Sequence, residues 1–302
     1  MIKKIFMYWH NGFINSPIIV KECLKSWKYF NSDYEIIELN DDNLIHWINI
    51  NDLIKNKNIT ITSKSDIIRL FLLKKYGGFW IDATVLCVNS LDNWINNYIS
   101  TGFFAFSFNP INDKRLSTWF LYADKDNYII NKWFIAMVEY ISIANNIGLE
   151  YQPVNTLNEW FNDKYNNHYF WMHYLFNDLY IKDNLFKNEW NNCKIFLKDN
   201  PQIIQNLGLD TIIENNFKKE YKNISPMYKL TYRFDYTKCN NNSIYTFIIN
   251  ELNNIYNYNK KIIIKKCKKI YKNDTISTIL LDIDIFKHLH PKQIKTNKSN
   301  RY

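Results

Sequence analysis

The sequence predicts an α/β protein in which a mostly parallel or mixed sheet is flanked by helices, with a helical C-terminal part. Near the start of the chain, strand-like and helix-like segments alternate, which is the order that builds parallel sheets. Further on, an apolar helix-like run ends in two glycines and is followed directly by an apolar strand-like run. Both observations favour a sheet covered by helices.

The opening segments show clear hydrophobic periodicity. Residues 3–9 form a short apolar run typical of a strand, and Ile18–Phe30 carries apolar residues at helical spacing. Residues 34–39 are again strand-like. Residues 41–44 combine capping side chains with the start of an apolar segment, so a further helix is predicted there.

The most informative stretch follows. Ser65 is predicted to cap a largely buried helix, because serine accepts a hydrogen bond from the free backbone N–H groups at a helix start. Tyr76-Gly77-Gly78 is expected to end this helix, since glycine adopts the left-handed backbone that helix ends require. Residues 79–85 then predict a buried strand.

The rest of the chain divides at a change of composition. Residues 102–209 have a mostly helical pattern and are rich in aromatic side chains. An asparagine run at 240–242 opens a polar break, after which lysine pairs alternate with isoleucines. We therefore predict a larger domain, residues 1–240, and a basic C-terminal extension, residues 241–302, that packs on it or trails from it.

Composition restricts the classes of protein that the chain can belong to. Of its 302 residues, 47% are apolar and 17% aromatic, which is enough to bury a sizeable core. The net charge of +9 favours anionic partners, whether nucleic acid, a lipid surface or a phosphorylated substrate. Five widely spaced cysteines indicate reduced, structural thiols rather than a zinc knuckle or redox motif.

Several common signatures are missing from the sequence. The six glycines form neither GxGxxG nor a Walker loop, and HExxH and GxSxG do not occur. The N-terminus lacks the features of a signal peptide, and no run reaches the roughly 18 apolar residues of a membrane span. We therefore expect a cytoplasmic protein without a transmembrane segment.

Charged and polar side chains of the helix–strand unit are predicted to meet. Asp66 and Arg69 stand three residues apart and share a helix face. Side chains alternate along a strand, so Trp80, Asp82 and Thr84 project together. A carboxylate, a guanidinium and a hydroxyl at a sheet edge suit a metal–diphosphate and a sugar. The alternative is a buried unit in which Asp66 and Arg69 form only a structural ion pair.

The same segment resembles a known family. SDIIRLFLLKKYGGFWIDATVL is similar to the signature of capsular polysaccharide synthesis proteins, which are related to the family 32 mannosyl- and galactosyltransferases and, more distantly, to the glucosylating clostridial toxins. The opening IFMYWHNG, the following P-x-x-V-x-x-C-x-x-S-W and, more loosely, PMYKLTY fit as well. The similarity covers about residues 3–235.

The resemblance implies a fold and an activity. The fold is GT-A-like, which is a Rossmann-like nucleotide-binding arrangement. The expected reaction moves a hexose or N-acetylhexosamine from a nucleotide-sugar donor to a saccharide or lipid-linked glycan acceptor, with retention of configuration.

Carried over by position, the resemblance also implies roles for individual residues. Trp9 would stack on the donor base, Asp66 and Arg69 would hold the ribose and the transferred sugar, and Trp80 would line the sugar pocket. The implied catalytic residues are Asp66, Arg69 and Asp82. The implied donor-binding residues are Tyr8, Trp9, Asp66, Arg69, Gly77, Gly78, Trp80 and Lys229.

A divalent cation, Mn²⁺ or Mg²⁺, is implied as well, because oxygen ligands and diphosphates suit such ions. Asp82 would reach it directly or through water, with Thr84 and His173 as further candidate ligands. Many relatives carry Asp-x-Asp where this chain has Asp82-Ala83-Thr84, and a neutral hydroxyl is a weaker ligand than a carboxylate. The alternatives are a hydrogen-bonded core residue for His173 and a solvated side chain for Lys229.

Two C-terminal features have competing interpretations. Asp282 and Asp284 form a literal Asp-x-Asp, but Phe286 stands where a haloacid-dehalogenase-type phosphatase has threonine, so a half-exposed strand or helix face is preferred. Lysines flank isoleucines across residues 260–272. They indicate an ordinary amphipathic element or, alternatively, a peripheral contact with an anionic membrane.

Two functions of other classes compete with glycosyl transfer. A basic protein that binds nucleic acid or an anionic surface would lose affinity steeply with salt, because binding releases counterions. An inactive nucleotide-sugar binder would bind the donor without turning it over. The resemblance favours the transferase, and we expect no nucleic-acid partner.

Overall fold

The computed structural model describes residues 1–51, 53, 60–108, 114–147 and 168–270, with side chains for all of these except 143–147, 168 and 258–270. Its strands are β1 Lys4–Tyr8, β2 Glu35–Leu39, β3 Gly78–Ile81, β4 Val85–Cys87, β5 Phe103–Ser107, β6 Leu116–Ala123 and β7 Met227–Lys229. Its α-helices are α1 Ile18–Phe30, α2 Ile61–Tyr76, α3 Tyr128–Ile147, α4 Trp171–Lys182, α5 Asn184–Asn191, α6 Asp199–Leu207, α7 Asn215–Ile224 and α8 Ile244–Ile270.

The central sheet has five strands in the order β2-β1-β3-β6-β5. β1 pairs in parallel with β2 and β3, whereas β6 runs antiparallel to β3 and β5. β4 and β7 form a separate two-stranded antiparallel ribbon. The predicted α/β class with a mixed sheet is confirmed. Because β1 and β3 are parallel, their C-terminal ends meet at one edge of the sheet.

Apolar side chains cover both faces of this sheet. Phe79 and Ile81 of β3 belong to one buried cluster, and Trp80 between them belongs to the other. On the first face, α1 buries Cys23 and Trp27, and the Trp27 indole donates to the Val85 carbonyl at 2.7 Å. The predicted bounds of α1, β1 and β2 agree with the structure to within a residue or two, because each has an unambiguous periodicity.

Helix α2 starts earlier than predicted. Its N-cap is Thr60, whose hydroxyl accepts a hydrogen bond from the Ser63 backbone N–H at 3.1 Å. The assignment of Ser65 as the cap was therefore wrong, and Asp66 lies in the second turn rather than beside the free N–H groups. The end of the helix is as predicted, since Gly77 adopts a φ of 66° and its N–H bonds the Leu73 carbonyl at 2.9 Å.

Two other predicted elements differ. The helix expected after residues 41–44 is a single 3₁₀ turn, Leu44–His46, because Asn40 and Asn43 each accept the other's backbone N–H and close a tight turn. The region 102–209 begins with the strands β5 and β6 before it becomes helical. Both strands are buried throughout, and a continuous apolar run cannot be distinguished from a buried helix by periodicity.

The predicted strand over residues 79–85 is interrupted by a turn. β3 ends at Ile81 and β4 begins at Val85, whose backbone N–H donates to the Asp82 carbonyl at 3.0 Å. The Asp82 N–H in turn donates to the Trp119 carbonyl of β6 at 2.9 Å. Asp82 and Thr84 therefore come together through a turn and not through strand alternation.

The chain after the predicted boundary at residue 240 continues into α8. Ile244, Ile248 and Leu252 are buried in the cluster that also contains Leu86 of the β4–β7 ribbon. The division into 1–240 and 241–302 stays a prediction. Asp282 and Asp284 lie outside the described residues, as do the side chains of the lysine-rich segment 260–272. Within the described part of the chain, no helix combines the length and apolar character needed to cross a membrane.

Candidate active site

Charged side chains from three parts of the chain meet where β1 and β3 end. Asp82 directly follows β3, and Trp9 directly follows the parallel neighbour β1. Helix α2 contributes Asp66 and Arg69 from the face of the sheet on which Trp80 lies. The ribbon strand β7 ends in Lys229, which pairs with Val85. The edge of the sheet that normally binds ligands in α/β proteins thus carries a compact ionic cluster.

Asp82 is the centre of this cluster. Its Oδ1 accepts hydrogen bonds from Arg69 Nη2 at 3.1 Å and from the Trp80 indole at 2.9 Å. Its Oδ2 accepts from Lys229 Nζ at 2.7 Å. The Asp82 side chain remains 24% exposed, so the cluster is open to solvent on one side. One carboxylate therefore holds two cations at an accessible position.

Arg69 is buried and connects two carboxylates. Its Nη1 forms an ion pair with Asp66, while its Nη2 reaches Asp82, and the guanidinium lies 5.3 Å from the Trp80 ring centroid. The second oxygen of Asp66 accepts from the Trp171 indole at 3.0 Å. A planar guanidinium suits this bridging role, because its N–H donors point in fixed, divergent directions.

The two aspartates have opposite pKa shifts. Burial raises the pKa of Asp66 to about 6, and the charge of Asp82 adds to the rise against the opposing effects of Arg69 and Trp171. Burial opposes ionisation of Asp82 as well, but the charges of Lys229 and Arg69 outweigh it and hold the pKa of Asp82 below its ordinary value. Asp82 is therefore ionised at neutral pH, whereas Asp66 titrates much closer to it.

Lys229 reaches the cluster because the β4–β7 ribbon lies beside the turn after β3. Besides Asp82, its ammonium donates to Thr84 Oγ1 at 2.9 Å. The Leu230 N–H donates to the Thr84 carbonyl at 2.8 Å and fixes the register of the segment. A residue far along the chain from Asp82 and Thr84 is thus held between their oxygen atoms.

The predicted metal site does not match this arrangement. The position between Asp82 and Thr84 is filled by the Lys229 ammonium. Across the described residues, no group of three or more His, Cys, Asp or Glu side chains is placed to hold a metal ion. As arranged here, these residues do not fit a divalent cation, since a positive charge already lies on its expected oxygen ligands.

His173, the third predicted ligand, lies among aromatic side chains. It is buried, with the Phe170 and Phe108 rings at 5.2 and 6.2 Å. Burial and the nearby charge of Arg69 lower the pKa of His173 to about 3, so its imidazole is neutral. A buried neutral ring helps to pack the start of α4, the segment from which Trp171 reaches Asp66.

Trp9 and Tyr8 lie in different surroundings. Trp9 is partly buried and meets Tyr232 edge to face at 5.1 Å, beside the segment that carries Lys229. Tyr8 is buried, and its hydroxyl donates to Asp41, which also accepts from Lys64 at 2.8 Å. Trp9 therefore lies with an aromatic partner at the end of β1, the strand parallel to the one that Asp82 follows.

Gly77 and Gly78 lie at the other end of β3 from Asp82, and their assignment to donor binding stays a prediction. They lie at the start of β3, and Asp82 follows its end, roughly 13 Å away at strand spacing. A Cβ at Gly78 would come within 2.7 Å of the Lys4 carbonyl oxygen, and one at Gly77 within 2.8 Å of the Lys125 nitrogen. These glycines allow close backbone packing at the opposite edge of the sheet.

Three residues in or near the site are not predicted from the sequence. Trp171 is far from Asp66 along the chain, and no local pattern links them. Tyr232 ends the PMYKLTY segment, so the loose resemblance there was the available signal. Tyr169, which is largely exposed, interacts electrostatically with Asp82, Arg69 and Arg233 and therefore lies at the rim.

The chain is similar to a solved glycosyltransferase structure and to a known protein family. Among solved structures, the PaToxG glycosyltransferase is similar, with 16% sequence identity, 63% of this chain and 74% of that chain covered, and a TM-score of 0.38. No curated protein sequence matches significantly. The sequence profile described as capsular polysaccharide synthesis protein matches residues 1–248. Since this match covers most of the chain and includes every residue of the ionic cluster, the chain belongs to the capsular polysaccharide synthesis protein family.

Proposed function

We propose that this protein is a glycosyltransferase that moves a hexose or N-acetylhexosamine from a nucleotide-sugar donor to a saccharide or glycan acceptor. The observation that carries the proposal is the pairing of two cations, Arg69 and Lys229, with one partly exposed carboxylate at the C-terminal edge of the sheet. Such an edge is where α/β proteins bind nucleotides. Membership of a polysaccharide synthesis family supports a substrate of this class.

The donor diphosphate would bind beside Asp82, where Arg69 and Lys229 can donate to its oxygens. Cleavage of the sugar–phosphate bond leaves negative charge on the departing nucleoside diphosphate, and two positioned cations stabilise that charge as it develops. Asp82 keeps both cations in place before the donor arrives. The partly enclosed position strengthens these interactions, because little water remains to screen them.

The aromatic residues would bind the two ends of the donor. Trp9, with Tyr232 against its edge, offers a ring on which a nucleobase can stack. Trp80 is fixed by its indole hydrogen bond to Asp82 and borders the position expected for the sugar. We propose a retaining outcome, in which the acceptor hydroxyl attacks from the leaving-group side and gives its proton to the departing phosphate.

The direct test is transfer from a panel of nucleotide sugars to mono- and oligosaccharide acceptors. Released nucleoside diphosphate and the glycosylated product are both measured, with excess Mn²⁺ and with excess EDTA. We expect at least one donor to be consumed with matching product, and none when Asp82 is replaced by asparagine. A folded wild-type protein that consumes no donor in either condition would contradict the proposal.

The same panel separates the competing functions. An inactive binder would bind a nucleotide sugar in calorimetry and release no diphosphate. A nucleic-acid-binding protein would retain DNA or RNA at low salt and lose it steeply as salt increases. The transferase proposal predicts turnover and no such salt-dependent retention.

A further inference from the structure

We infer that Lys229 takes the place of a divalent cation in this site, so that Lys229 and Arg69 neutralise the donor diphosphate and binding needs no metal ion. The inference deepens the proposed function and rests on the same site. It concerns the kind of positive charge that the site offers to a diphosphate.

The position of the ammonium carries the inference. Lys229 Nζ lies 2.7 Å from Asp82 Oδ2 and 2.9 Å from Thr84 Oγ1. These are the two oxygens from which the sequence led us to expect metal coordination. A Mg²⁺ ion bound to them at about 2.0–2.1 Å would occupy the space that the ammonium fills. The ion would also bring two positive charges next to the Lys229 ammonium. Asp82 is the carboxylate that pairs with this ammonium among the described residues, and it would then have to neutralise both.

The remaining ligands of the cluster are already engaged. Oδ1 of Asp82 accepts from Arg69 and Trp80, and Asp66 accepts from Arg69 and Trp171. A metal ion would have to displace several of these donors, because no group of three or more His, Cys, Asp or Glu side chains in the described residues is placed to hold one. The ionic cluster is thus complete with protein groups alone.

Lys229 can still bind a ligand from this position. An ammonium has three N–H donors, and Asp82 and Thr84 accept two of them, which leaves one for a phosphate oxygen. The Lys229 side chain is 13% exposed beside the partly exposed Asp82, so a diphosphate can approach it from solvent. The paired β4 and β7 strands hold its backbone in register with Val85, which limits how far the ammonium can move.

Arg69 completes the pair of cations. Its guanidinium is 5% exposed and bonds the Asp82 oxygen that Lys229 does not, so the two cations lie on different oxygens of the same carboxylate. Arg69 and Lys229 together carry two positive charges, as one divalent ion does, and Asp82 and Asp66 offset part of that charge, as carboxylate ligands of an ion would. Removing either cation should therefore weaken diphosphate binding, and adding metal should not restore it.

Calorimetric titration of UDP and GDP into the protein tests the inference without requiring turnover. Each diphosphate is titrated into the wild type and into Lys229→Met, with excess EDTA and with excess Mn²⁺. The matched control is Lys182→Met, because Lys182 ends α4 eleven residues after Trp171, roughly 16 Å along the helix, and pairs with Asp178 on the surface.

We expect the wild type and Lys182→Met to bind at least one of the two diphosphates equally well in EDTA and in Mn²⁺. Lys229→Met should bind roughly tenfold or more weakly in both, since it loses a charge-assisted hydrogen bond. Wild-type binding that requires Mn²⁺, or no wild-type binding in EDTA, would overturn the inference. So would unchanged affinity in a folded Lys229→Met. If that variant does not fold, the wild-type comparison of EDTA with Mn²⁺ decides alone.

The outcome is distinguishable from a failure of the proposed function. Diphosphate binding in EDTA without turnover of any nucleotide sugar would contradict the transferase and leave the role of Lys229 intact. Turnover that stops in EDTA and returns with Mn²⁺ would support the transferase and refute the role of Lys229.

Discussion

Asp66 and Asp82 share one guanidinium, yet the surroundings of each lead to a different charge state. Asp66 is buried and, among the described residues, accepts hydrogen bonds from Arg69 and Trp171; burial disfavours its ionised form. Asp82 accepts hydrogen bonds from Arg69, Lys229 and Trp80, and the two positive charges keep it ionised. When Asp66 is protonated, Arg69 keeps only one charged partner and the cluster gains net positive charge. The charge that the site presents to a diphosphate therefore depends on pH.

The raised pKa of Asp66 gives a measurable pH dependence of stability. A carboxyl whose pKa is higher in the folded chain binds its proton more tightly there, so its contribution to the free energy of unfolding falls as pH rises from about 4 to about 6. Asp66→Asn mimics the protonated form. We expect the free energy of unfolding of this variant, measured with urea, to increase relative to that of the wild type as pH rises from 5 to about 6. Above about pH 6 the difference between the two should stay constant.

Asp92→Asn is the matched control for this measurement. Burial opposes its ionisation, but hydrogen bonds from Lys3 and Tyr34 lower the pKa of Asp92, so it is ionised throughout this window. Its stability difference from wild type should be flat over the same pH range. A relative loss of stability of Asp66→Asn as pH rises would mean that the pKa of Asp66 is lowered and not raised.

Asp82→Asn should nearly abolish turnover while the protein stays folded. The variant leaves Arg69 and Lys229 without their common negative partner, so neither is held where the leaving diphosphate needs it. We expect kcat to fall roughly 100-fold or more and stability to fall by about 1–3 kcal/mol, from steady-state kinetics and urea unfolding. Asp178→Asn removes only an exposed ion pair with Lys182 and should change neither. Near-wild-type turnover by a folded Asp82→Asn would remove Asp82 from the catalytic set.

Arg69→Lys distinguishes a catalytic role from a purely structural one. A single ammonium cannot bridge Asp66 and Asp82 as the guanidinium does. We expect a loss in kcat/KM of roughly 100-fold with a modest decrease in melting temperature. A lowered melting temperature with unchanged kinetics would support the alternative that Asp66 and Arg69 form only a structural ion pair.

At the scale of elements, the corner between α2 and β3 positions the site from a distance. Gly78 has a φ of 91°, and an added Cβ would meet the Lys4 backbone oxygen at 2.7 Å. Gly208 has a φ of 92°, but the nearest atom there is a side-chain oxygen of Asp210 at 3.0 Å, which can move. Both glycines therefore have a backbone conformation that would strain an added side chain, and they differ in the atoms that such a side chain would meet.

Replacing each of these two glycines by alanine separates the effect of the backbone clash from that of the positive φ alone. Gly78→Ala should cost about 2 kcal/mol or more in urea unfolding, because strain and a backbone clash add, and it should also reduce turnover by shifting β3 against β1. Gly208→Ala should cost only about 1 kcal/mol and leave turnover unchanged. Equal losses of stability in both variants would show that the close approach of β3 to Lys4 contributes little.

The elements that sequence patterns predicted best are those with one buried face. Helix α1 repeats Ile19, Cys23 and Trp27 at helical spacing, and all three are buried. The strands β5 and β6 were missed because helices and loops bury them on both sides, which erases alternation. The start of α2 was misplaced because Thr60 and Ser65 are both plausible caps, and only the hydrogen bond to Ser63 selects Thr60.

The site was predictable where it is local and not where it depends on topology. Asp66, Arg69 and Asp82 lie in one short segment, and spacing together with resemblance identified them. The placement of Lys229 between Asp82 and Thr84 depends on the pairing of β4 with β7, which no sequence periodicity reveals. The expected metal ligation stays a prediction, and the sequence gives no indication that a lysine lies between its two expected ligands, Asp82 and Thr84.

At the scale of the whole molecule, the position of Lys229 depends on helix α8, the helix in which the family match ends. Lys229 is placed by the β4–β7 ribbon, and the ribbon is covered by α8 through Ile248 and Leu252, which lie with Leu86 around a small apolar space. Tyr221 of α7 borders the same space and hydrogen-bonds Glu251 at 3.1 Å. The first turns of α8 therefore support the strand that carries a proposed catalytic cation.

Truncation tests how far the folding unit extends. A chain that ends at residue 240 lacks Ile244, Ile248 and Leu252, which are 1%, 2% and 4% exposed. Losing three buried side chains of this size costs roughly 4–9 kcal/mol of burial, comparable with the whole stability of a typical domain. We expect the 1–240 fragment to be insoluble or to melt without a cooperative transition, whereas the full chain should melt cooperatively. If instead the 1–240 fragment melts cooperatively at the temperature of the full chain, the predicted boundary at 240 is a true domain boundary and α8 contributes no support to Lys229.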